Sequence, residues 1–342
     1  MNDNFSREFE NSAKEITRSD ADAMIDKYNG EIIFNITEYA TVKSVKTLME
    51  GIRKKGLFKI VCAEGFANSE LVKQHLAGIK VVKTKGAKKE NHAKGIEISF
   101  HDSHYISMDW GRFELSLYPF KHGLDVEPKR TATEILDQLN VGDRKTIVCG
   151  SLGWNEMITV MQSYERHFGE LQIENRPLIV FAPRKRDQYW DVWGGLFKRN
   201  QILQRIDRGE SLPPFPDMNH YNILDLSTSG ELASMYSIGD MNIIGSDRNI
   251  LEGFGGRGCV VFMENESWKN NWENNQEILQ LSLRHNAAVP FKKDTFALLE
   301  DNDAVNSLKR GEKEVIKEMK DEIIPRSVDM VKMLLAWMIL NQ

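Results

Sequence analysis

The sequence of 342 residues is poor in cysteine and has no excess of basic charge. Its cysteines, Cys62, Cys149 and Cys259, form no C-x-x-C pair, and so small and odd a number disfavours a disulfide framework or a zinc knuckle. The 45 basic and 50 acidic residues give a net charge of −5, so no overall positive field attracts the chain to nucleic acid. We expect a protein of a reducing cytoplasm that binds no specific nucleic acid.

Hydrophobic runs long enough to cross a bilayer are also missing. Residues 333–342 form an uncharged run of ten residues, whereas a membrane-spanning helix needs about 20. The first residues, MNDNFSREFENSAKE, lack the basic and apolar blocks of a secretory signal. The expected location is therefore cytoplasmic. For the apolar last helix, peripheral contact with the inner face of a membrane is the alternative to burial.

The composition is that of a globular protein of more than one domain. Hydrophobic residues make up 41% of the chain and charged residues 28%, which is enough apolar material for a core in each half. At roughly 150 residues per domain, the length indicates about two domains. We predict a helical arm at 1–30, a first domain at 31–128, a second domain at 129–323 and a terminal helix at 324–342.

The first half begins as an alternation of strands and helices. The arm has Ser19 as its expected N-cap and Gly30 as its end. The lysine-rich stretch 79–95 shows no helical pattern and is predicted to be a solvated loop, with phosphates of a lipid or of nucleic acid as alternative partners. The predicted strands are 31–36, 58–65 and a set of short ones within 96–120, and the predicted helices are 44–56 and 68–78.

The second half alternates more regularly. Its apolar runs predict five strands separated by helices, which is typical of a doubly wound parallel sheet. The strands are predicted at 145–151, 177–183, 221–226, 241–246 and 259–263, and the helices at 131–142, 155–170, 186–206, 229–239 and 249–256.

Ligands of such sheets bind outside the carboxyl ends of the strands, so the strand-to-helix turns are the places to search. Arg184 follows a strand, where its guanidinium could hold a phosphate; a solvated helix start is the alternative. Backbone N–H groups at 246–249 open a predicted helix and suit an anion. Glu252, in the first turn of that helix, could accept both hydroxyls of a ribose or could simply favour the helix dipole. The turn before helix 229–239 is interpreted as a cap only.

Several sequence runs in this half resemble one family. DLSTSGELASMYSIGDMNIIGS followed by NILEGFGGRGCVVFM is similar to the nucleotide-binding half of the 3-deoxy-manno-octulosonic acid (Kdo) transferases, which have a GEL-x-x-x-Y-x-I-A-D run and then N-P-L-E-P. LIVFAPRKRDQYW resembles the family's A-P-R-H-P-E-R strand end, and NNWENNQEI and NAAVPF follow in the family's order. The similarity spans about 131–322. It implies an α/β, GT-B-like fold class, with two Rossmann-like domains facing a cleft, a reduced N-terminal domain and a last helix that packs back on that domain.

The resemblance also implies roles for individual residues. Arg184 would hold the donor phosphate, Asn249 and the turn from Ser246 its other oxygens, and Glu252 the nucleotide ribose. Ser151, at the end of the strand 145–151, is added to these binding residues. The turn has Asp247 and Arg248 where the family has Gly-Gly-His, so it departs from the family's pattern there.

The first half matches the family less well. The family's Ser-x-Gly-Glu-Val run supplies the catalytic carboxylate, but this chain has Thr41 at the position of that Glu. The nearest acid is Glu38, in the same predicted loop, and Glu64 follows the second strand. Either could act as the general base, although each is more often a solvated acid. Only 98 residues separate Glu31 from the boundary near Pro128, which leaves room for about three strand-helix-strand units.

Two functions remain open. One is a metal-independent glycosyltransferase that moves a sugar from a nucleotide-activated donor, with a CMP-linked ulosonic acid as a candidate, to a glycan or lipid acceptor. The other is a non-catalytic nucleotide-sugar-binding homologue; an epimerase is less favoured because its acidic and histidine groups cannot be placed. No cofactor is expected besides the donor. No metal site is expected, since His101 and His104 point to opposite faces of a strand-like segment.

Overall fold

The computed structural model describes residues 16–28, 31–36, 39–52, 58–63, 80–84, 95–101, 105–108, 111–113, 131–182, 200–206, 215–227, 231–245, 250–264 and 276–340. Contacts divide the chain into two compact units. Unit one consists of residues 1–122 and 317–342, and unit two of residues 123–316. The boundary predicted near Pro128 lies outside the described residues.

Unit one is built around a mixed sheet. Its described strands lie in the order β3-β2-β1-β4-β5-β6, in which β3, β2, β1 and β4 are parallel and β5 and β6 pair antiparallel. Strands were predicted at 31–36, at 58–65 and within 96–120, and all are present. The elements are α1 (Arg18–Lys27), β1 (Glu31–Ile36), α2 (Tyr39–Ile52), β2 (Phe58–Ala63), β3 (Lys80–Thr84), β4 (Gly95–His101), β5 (Tyr105–Met108), β6 (Gly111–Phe113) and α8 (Ile324–Leu340).

Three expectations for unit one are wrong in detail. The N-cap of α1 is Thr17 and not Ser19, because Asp20 completes a capping box with Thr17. The lysine-rich stretch is not a loop throughout, since β3 occupies Lys80–Thr84 at one border of the described sheet. Its two β-branched valines favour a strand although lysines surround them. Helix α2 begins at Tyr39, five residues earlier than predicted. The helix predicted at 68–78 lies outside the described residues.

The last helix, α8, packs on α1 and α2 within unit one. Gly51 of α2 permits a close approach, because a Cβ there would lie 2.6 Å from Val328 Cγ1. Lys332 Nζ of α8 lies 2.8 Å from Asp22 Oδ1 of α1. Among the described helices, none is both long enough and apolar enough to cross a membrane. The buried residues of α8 are Val328, Val331, Leu334, Leu335, Ala336, Trp337 and Met338.

Unit two contains a parallel sheet with the order β13-β12-β11-β7-β8-β10-β9 among its described strands. If β9 is set aside as an added edge strand, the remaining six follow the 3-2-1-4-5-6 order of the doubly wound dinucleotide-binding fold. The elements are α3 (Ala132–Leu139), β7 (Thr146–Gly150), α4 (Trp154–Phe168), β8 (Leu178–Ala182), β9 (Ile202–Ile206), β10 (Ile223–Ser227), α5 (Leu232–Tyr236), β11 (Met241–Ile244), β12 (Cys259–Phe262), α6 (Gln276–Arg284), β13 (Ala288–Pro290) and α7 (Asn302–Glu318).

Both faces of this sheet are covered, which explains why β8 and β12 are continuously apolar. One face packs against α4, α7 and the 3₁₀ helix Thr295–Leu299, with side chains such as Cys149, Phe181 and Phe296 at its centre. On the other face lie α5 and the 3₁₀ helix Ile250–Gly253, where Gly253 fits against Ile244 and Val260. Helical layers on both faces leave the carboxyl border of the sheet as the place for a ligand.

Two helix predictions for unit two are corrected. The last five residues of the helix expected at 186–206 form strand β9, Ile202–Ile206, because a run as short as ILQRI does not distinguish a helix from a strand. Residues 186–199 lie outside the described part of the chain. The helix expected at 249–256 is a 3₁₀ turn of four residues, Ile250–Gly253. Closely spaced glycines after it disfavour a helix, and Gly255 has a φ of +85°. Strand β13 was not predicted, because three residues give no periodicity.

Removal of the Tyr164 hydroxyl tests how the core of unit two is held together. Tyr164 is fully buried on α4; its Oη donates to the Pro177 carbonyl at 2.6 Å and accepts from Asn222 Nδ2 at 3.2 Å. Tyr164→Phe leaves both partners buried without this contact and should lower the free energy of unfolding by about 1–3 kcal/mol, measured by urea denaturation.

Tyr221→Phe is the matched control. Within the described part of the chain the Tyr221 hydroxyl makes no hydrogen bond and the residue is half-buried, so the change should stay within about 0.5 kcal/mol. Equal losses in the two variants would contradict the structural role given to Tyr164.

Candidate functional site

The order of the strands in unit two creates a switch point between β7 and β11. From β7 the chain continues to β8, the neighbour of β7 on one side, and returns later to β11, the neighbour of β7 on its other side. At such a point the connections leave in opposite directions, and a crevice opens outside the carboxyl ends of the strands. Strands β8, β7 and β11 are consecutive neighbours, so the ends of β8 and β11 are about 10 Å apart at the usual strand spacing. One phosphate-bearing ligand can reach both ends.

Two glycines shape the floor of this crevice. A Cβ on Gly150, the last residue of β7, would lie 1.7 Å from the hydroxyl oxygen of Tyr236, so the ring of Tyr236 occupies that space. A Cβ on Gly245, directly after β11, would lie 2.3 Å from the carbonyl oxygen of Ser151. The Gly245 N–H donates to the Gly150 carbonyl at 3.0 Å. The absence of both side chains therefore lets the two chain segments meet at the switch point.

Ser151 lies directly at the switch point in an uncommon backbone conformation. Its φ of +57° is left-handed, which costs free energy for a residue with a Cβ. The Ser151 N–H donates to the Ala182 carbonyl at 2.9 Å and so ties the exit of β7 to the exit of β8. Strained residues of this kind gather at binding sites, which is consistent with the choice of Ser151 as a binding residue.

The N-terminus of α4 also opens at the crevice, but a carboxylate already occupies it. Glu156 is buried, and its Oε2 accepts the N–H of the N-cap residue Gly153 at 2.7 Å. This negative charge satisfies the helix dipole and repels a second anion at the same position. The N-terminus of α4 is therefore a poor place for a further anion.

Glu252 lies on the short crossover from β11 to β12. It is half-buried in the 3₁₀ turn Ile250–Gly253, and the next residue, Gly253, has its carbonyl fixed by Asn242 Nδ2 at 2.9 Å. A 3₁₀ turn of four residues has little of the dipole of an α-helix, so the expected helix N-terminus at 246–249 is wrong. Residues 246–249 themselves lie outside the described part of the chain.

The structure describes two of the predicted site residues, Ser151 and Glu252. It places Ser151 against Gly245, the residue before Ser246. The other predicted residues lie outside the described part of the chain; they are Arg184, Ser246, Asn249, Glu38 and Glu64.

The two base candidates nevertheless follow described strands of unit one. Strand β1 ends at Ile36, two residues before Glu38, and β2 ends at Ala63, directly before Glu64. These strands are parallel neighbours, with Ile36 opposite Cys62, so their carboxyl ends lie at the same border of the sheet. Both acids therefore come shortly after strands that end at the carboxyl border, which is where open α/β sheets bind ligands.

Sequence reasoning missed Gly150, Gly245 and Tyr236. The signal was available, since each of two predicted strands ends in Gly-Ser and the tyrosine belongs to the GELASMY run. What the sequence could not give is that the glycines come from neighbouring strands and that the tyrosine ring fills the space above one of them.

No thiol or metal chemistry is evident at the described part of the site. Cys149 precedes Gly150 in β7, and burial raises the pKa of its thiol well above the ordinary value, so it is a poor nucleophile. Among the described residues, no group of three or more His, Cys, Asp or Glu side chains could hold a metal ion.

A scan of protein families finds no family that matches the chain, and no curated protein matches it. Solved structures do match. A glycosyltransferase from Rickettsia africae ESF-5 has 9% identity and a TM-score of 0.52, covering 92% of this chain and 100% of that one. The C-terminal CMP-Kdo binding domain of WaaA from Acinetobacter baumannii has 16% identity and a TM-score of 0.44, covering 54% and 96%. MurG from Acinetobacter baumannii has 10% identity and a TM-score of 0.40, covering 85% and 99%.

Of these three likenesses, the one to the Rickettsia africae structure extends over nearly the whole of both chains. At 9% identity it shows a shared fold. Together with the parallel seven-stranded sheet of unit two, it confirms the α/β, GT-B-like fold class predicted from the sequence.

The packing at Gly245 provides a test of the switch point. Gly245→Ala places a Cβ 2.3 Å from a backbone oxygen, so the two segments must separate. We expect a loss of about 1–3 kcal/mol in unfolding free energy, measured from the urea midpoint.

Gly153→Ala in the neighbouring turn is the control, because its Cβ would meet the Glu156 carboxylate at an ordinary 3.5 Å. It should cost about 1 kcal/mol or less, through the weaker N-cap. A Gly245→Ala protein as stable as the wild type would refute the close approach of β7 and β11.

Proposed function

We propose that the chain is a glycosyltransferase that binds a nucleotide-activated sugar at the switch point of unit two. The observation that carries this proposal is the pairing of β7 with β11 in the dinucleotide-binding strand order, with no side chain at Gly150 or Gly245. The fold shared with a glycosyltransferase of Rickettsia africae supports it. The acceptor would be a glycan or a lipid, as the resemblance to the Kdo transferases implies.

The phosphate of the donor would lie between the segments that follow β8 and β11. Arg184 comes two residues after β8 ends at Ala182, and Ser246 comes two residues after β11 ends at Ile244. Since these strands flank β7, a guanidinium from one side and the groups of Ser246 and Asn249 from the other can approach the same phosphate. As the glycosidic bond breaks, negative charge develops on that phosphate, and these donors would stabilise it. Metal-independent transfer is proposed on this basis.

Glu252 would hold the ribose of the nucleotide. Its backbone is fixed by the 3₁₀ turn and by the bond from Asn242 Nδ2 to the Gly253 carbonyl. A carboxylate in a fixed position can accept both hydroxyls of a ribose while the phosphate lies nearer the strand ends. Ser151 would border the same crevice from the β7 side. The proposed donor is a CMP-linked ulosonic acid, because the runs around Arg184 and Glu252 resemble those of the Kdo transferases.

In the proposed reaction the acceptor hydroxyl would lose its proton to a general base, for which two acids of the first domain are the candidates. Glu38 and Glu64 follow β1 and β2 at the carboxyl border of that sheet, and Glu38 is preferred because it precedes α2 where the resembling family has its catalytic loop. The deprotonated hydroxyl oxygen would form the new bond to the anomeric carbon while the bond to the donor phosphate breaks.

A non-catalytic nucleotide-sugar-binding protein is the second candidate function. It is favoured by Thr41, which has no carboxylate and lies in the first turn of α2, at the position where the resembling family has its catalytic Glu. In that case unit two would bind the nucleotide sugar without transfer, and neither Glu38 nor Glu64 would affect anything but stability.

Replacing Arg184 tests the nucleotide site. We expect Arg184→Ala to weaken binding of CMP or of a CMP-sugar by about 1.5–3 kcal/mol in calorimetry, the value of a charged hydrogen bond, and we expect binding to persist in EDTA. The matched control is Arg166→Ala. Arg166 is exposed in the last turn of α4, at the end of that helix opposite to the crevice, so affinity should not change. Loss of affinity in EDTA with recovery in magnesium would overturn metal independence, and unchanged affinity in Arg184→Ala would overturn the phosphate site.

The base is tested by turnover. Glu38→Gln should reduce the transfer rate by about 10²–10⁴ while nucleotide affinity is retained, and Glu64→Gln is examined in parallel. Glu50→Gln on α2 is the control, since Glu50 is exposed and pairs only weakly with Lys46 at 3.8 Å. Full turnover in both Glu38→Gln and Glu64→Gln would remove both candidates. A wild-type protein that binds nucleotide sugars and transfers nothing would favour the non-catalytic function.

A further inference from the structure

A buried ion pair on α7 lies against the segment that follows Glu252. Only 1% of the Glu312 side chain is exposed, and its Oε2 accepts from Lys309 Nζ on the same helix. Lys309 Nζ also donates to the Gly256 carbonyl at 2.7 Å, and the Gly255 N–H approaches Glu312 Oε2 at 3.4 Å. The pair therefore binds the backbone at Gly255 and Gly256, in the middle of residues 253–258, which we call the glycine segment.

The glycines of the glycine segment lie so close to neighbouring backbone that larger residues would not fit there. A Cβ on Gly256 would lie 2.4 Å from the Tyr236 carbonyl oxygen, and one on Gly258 would lie 1.8 Å from the Asp240 carbonyl oxygen. Gly255 adopts a φ of +85°, which few residues other than glycine accept. With no side chains to pack at these positions, the segment is fixed through its backbone groups.

Several contacts hold that backbone, among them the Gly258 N–H, which donates to the Gly239 carbonyl at 2.9 Å, and the ion pair of Arg257 with Asp240. From β11 of the sheet, Asn242 Nδ2 donates to the Gly253 carbonyl at 2.9 Å. From α7, Lys309 and Glu312 bind the backbone of Gly256 and Gly255. Glu252 is joined directly to the first anchored residue, and the Phe254 N–H donates to the Leu251 carbonyl at 3.1 Å across the turn. A shift of the glycine segment is therefore passed to the backbone of Glu252.

Stability alone does not account for the buried pair. A buried carboxylate loses its hydration, and replacing such a pair with apolar groups is often neutral or stabilising. Glu312 Oε1 has no hydrogen-bond partner among the described residues, so the desolvation of this carboxyl is not fully offset. A role of Glu312 in fixing the crossover from β11 to β12 would account for a buried carboxylate at this place.

We infer that Glu312, acting with Lys309, is a positioning residue that fixes the glycine segment and thereby sets the place of Glu252 in the nucleotide site. That the ligand is a nucleotide rests on the proposed function. That Glu312 fixes the glycine segment rests on the contacts of α7 alone. Glu312 touches no ligand in this arrangement and acts through the backbone of residues 253–258.

The protonation of Glu312 gives this inference a characteristic pH dependence. Burial raises the pKa of Glu312 from its ordinary 4.5 to about 7, while Lys309 and the Gly255 N–H lower it. The other titratable or charged groups nearby are Cys259 on β12 and Asp240 before β11, which is paired with Arg257; burial raises the pKa of the Cys259 thiol to about 12, so it stays neutral. Near pH 7, Glu312 is thus the group in this cluster that changes charge.

The sign of the pH effect on stability follows from linkage. The unfolded chain releases the Glu312 proton near pH 4.5 and the folded protein only near pH 7, so the folded protein binds more protons between these values. The unfolding free energy should therefore fall as the pH rises through this interval, and this decline should be absent in Glu312→Gln. The charge-assisted contacts with Lys309 and Gly255, in contrast, are complete only above pH 7.

The test compares Glu312→Gln with the wild type and with Glu314→Gln, an exposed glutamate on the same helix. Hydrogen exchange at pH 8 should become several-fold faster in residues 250–258 of Glu312→Gln and stay unchanged in β7 and β8. Affinity for CMP, measured by calorimetry at pH 6 and pH 8, should be roughly 2- to 30-fold weaker at pH 8 in Glu312→Gln. The rise in wild-type affinity from pH 6 to pH 8 should exceed that in Glu312→Gln, and Glu314→Gln should behave as the wild type.

The outcomes separate this inference from the proposed function. If the wild type binds neither CMP nor UDP at either pH, the proposed nucleotide site is wrong, and the exchange measurement still decides whether Glu312 fixes the glycine segment. Unchanged exchange at 250–258 in Glu312→Gln overturns the inference. An affinity and pH profile equal to those of the wild type overturn it as well, even if the variant is less stable overall.

Discussion

The hydrogen bond from the Gly245 N–H to the Gly150 carbonyl joins the two strands on which the rest of unit two depends. It closes the ladder between β7 and β11 at the carboxyl border, where the chain must leave the sheet in two directions. A side chain at either glycine would meet Tyr236 or the Ser151 carbonyl, so the bond and the absence of side chains are one constraint. The left-handed turn at Ser151 lies directly beside it, since the Ser151 carbonyl is the group that a Cβ on Gly245 would meet.

The sequence was most informative where secondary structure is long and buried. The five strands predicted in the second half are all present, because continuous apolar runs next to helical patterns have few other interpretations. It was misleading where local pattern and tertiary packing disagree. NILEGFGG has the spacing of a helix start, yet the glycines that follow pack against the carbonyls of Tyr236 and Asp240, and only a 3₁₀ turn fits. The short strand β13 is defined by its neighbour β12 and not by its own three residues.

The candidate site divides in the same way. The resemblance to the Kdo transferases selected Glu252 on a motif, and Ser151 was chosen because it ends a predicted strand. The structure describes the backbone of each, a 3₁₀ turn for the first and a left-handed turn for the second, and their roles in binding stay predictions. Tyr236, Gly150 and the α7 pair Lys309–Glu312 could not be selected in this manner. Their importance comes from contacts between residues far apart in the sequence, such as Lys309 Nζ with the Gly256 carbonyl, and no local pattern encodes such contacts.

The border strand β3 has a consequence for the behaviour of the protein at high concentration. An open edge of a parallel sheet presents unpaired N–H and C=O groups that a second molecule could extend. In β3 the pair of valines is enclosed by Lys80 and Lys83 within a strand of five residues. Where such a border is exposed, a second copy that approached it would bring the same lysines to it, and the repulsion of like charges would oppose backbone pairing. The lysines that obscured this strand in the sequence are therefore of the residue type that protects sheet borders from self-association.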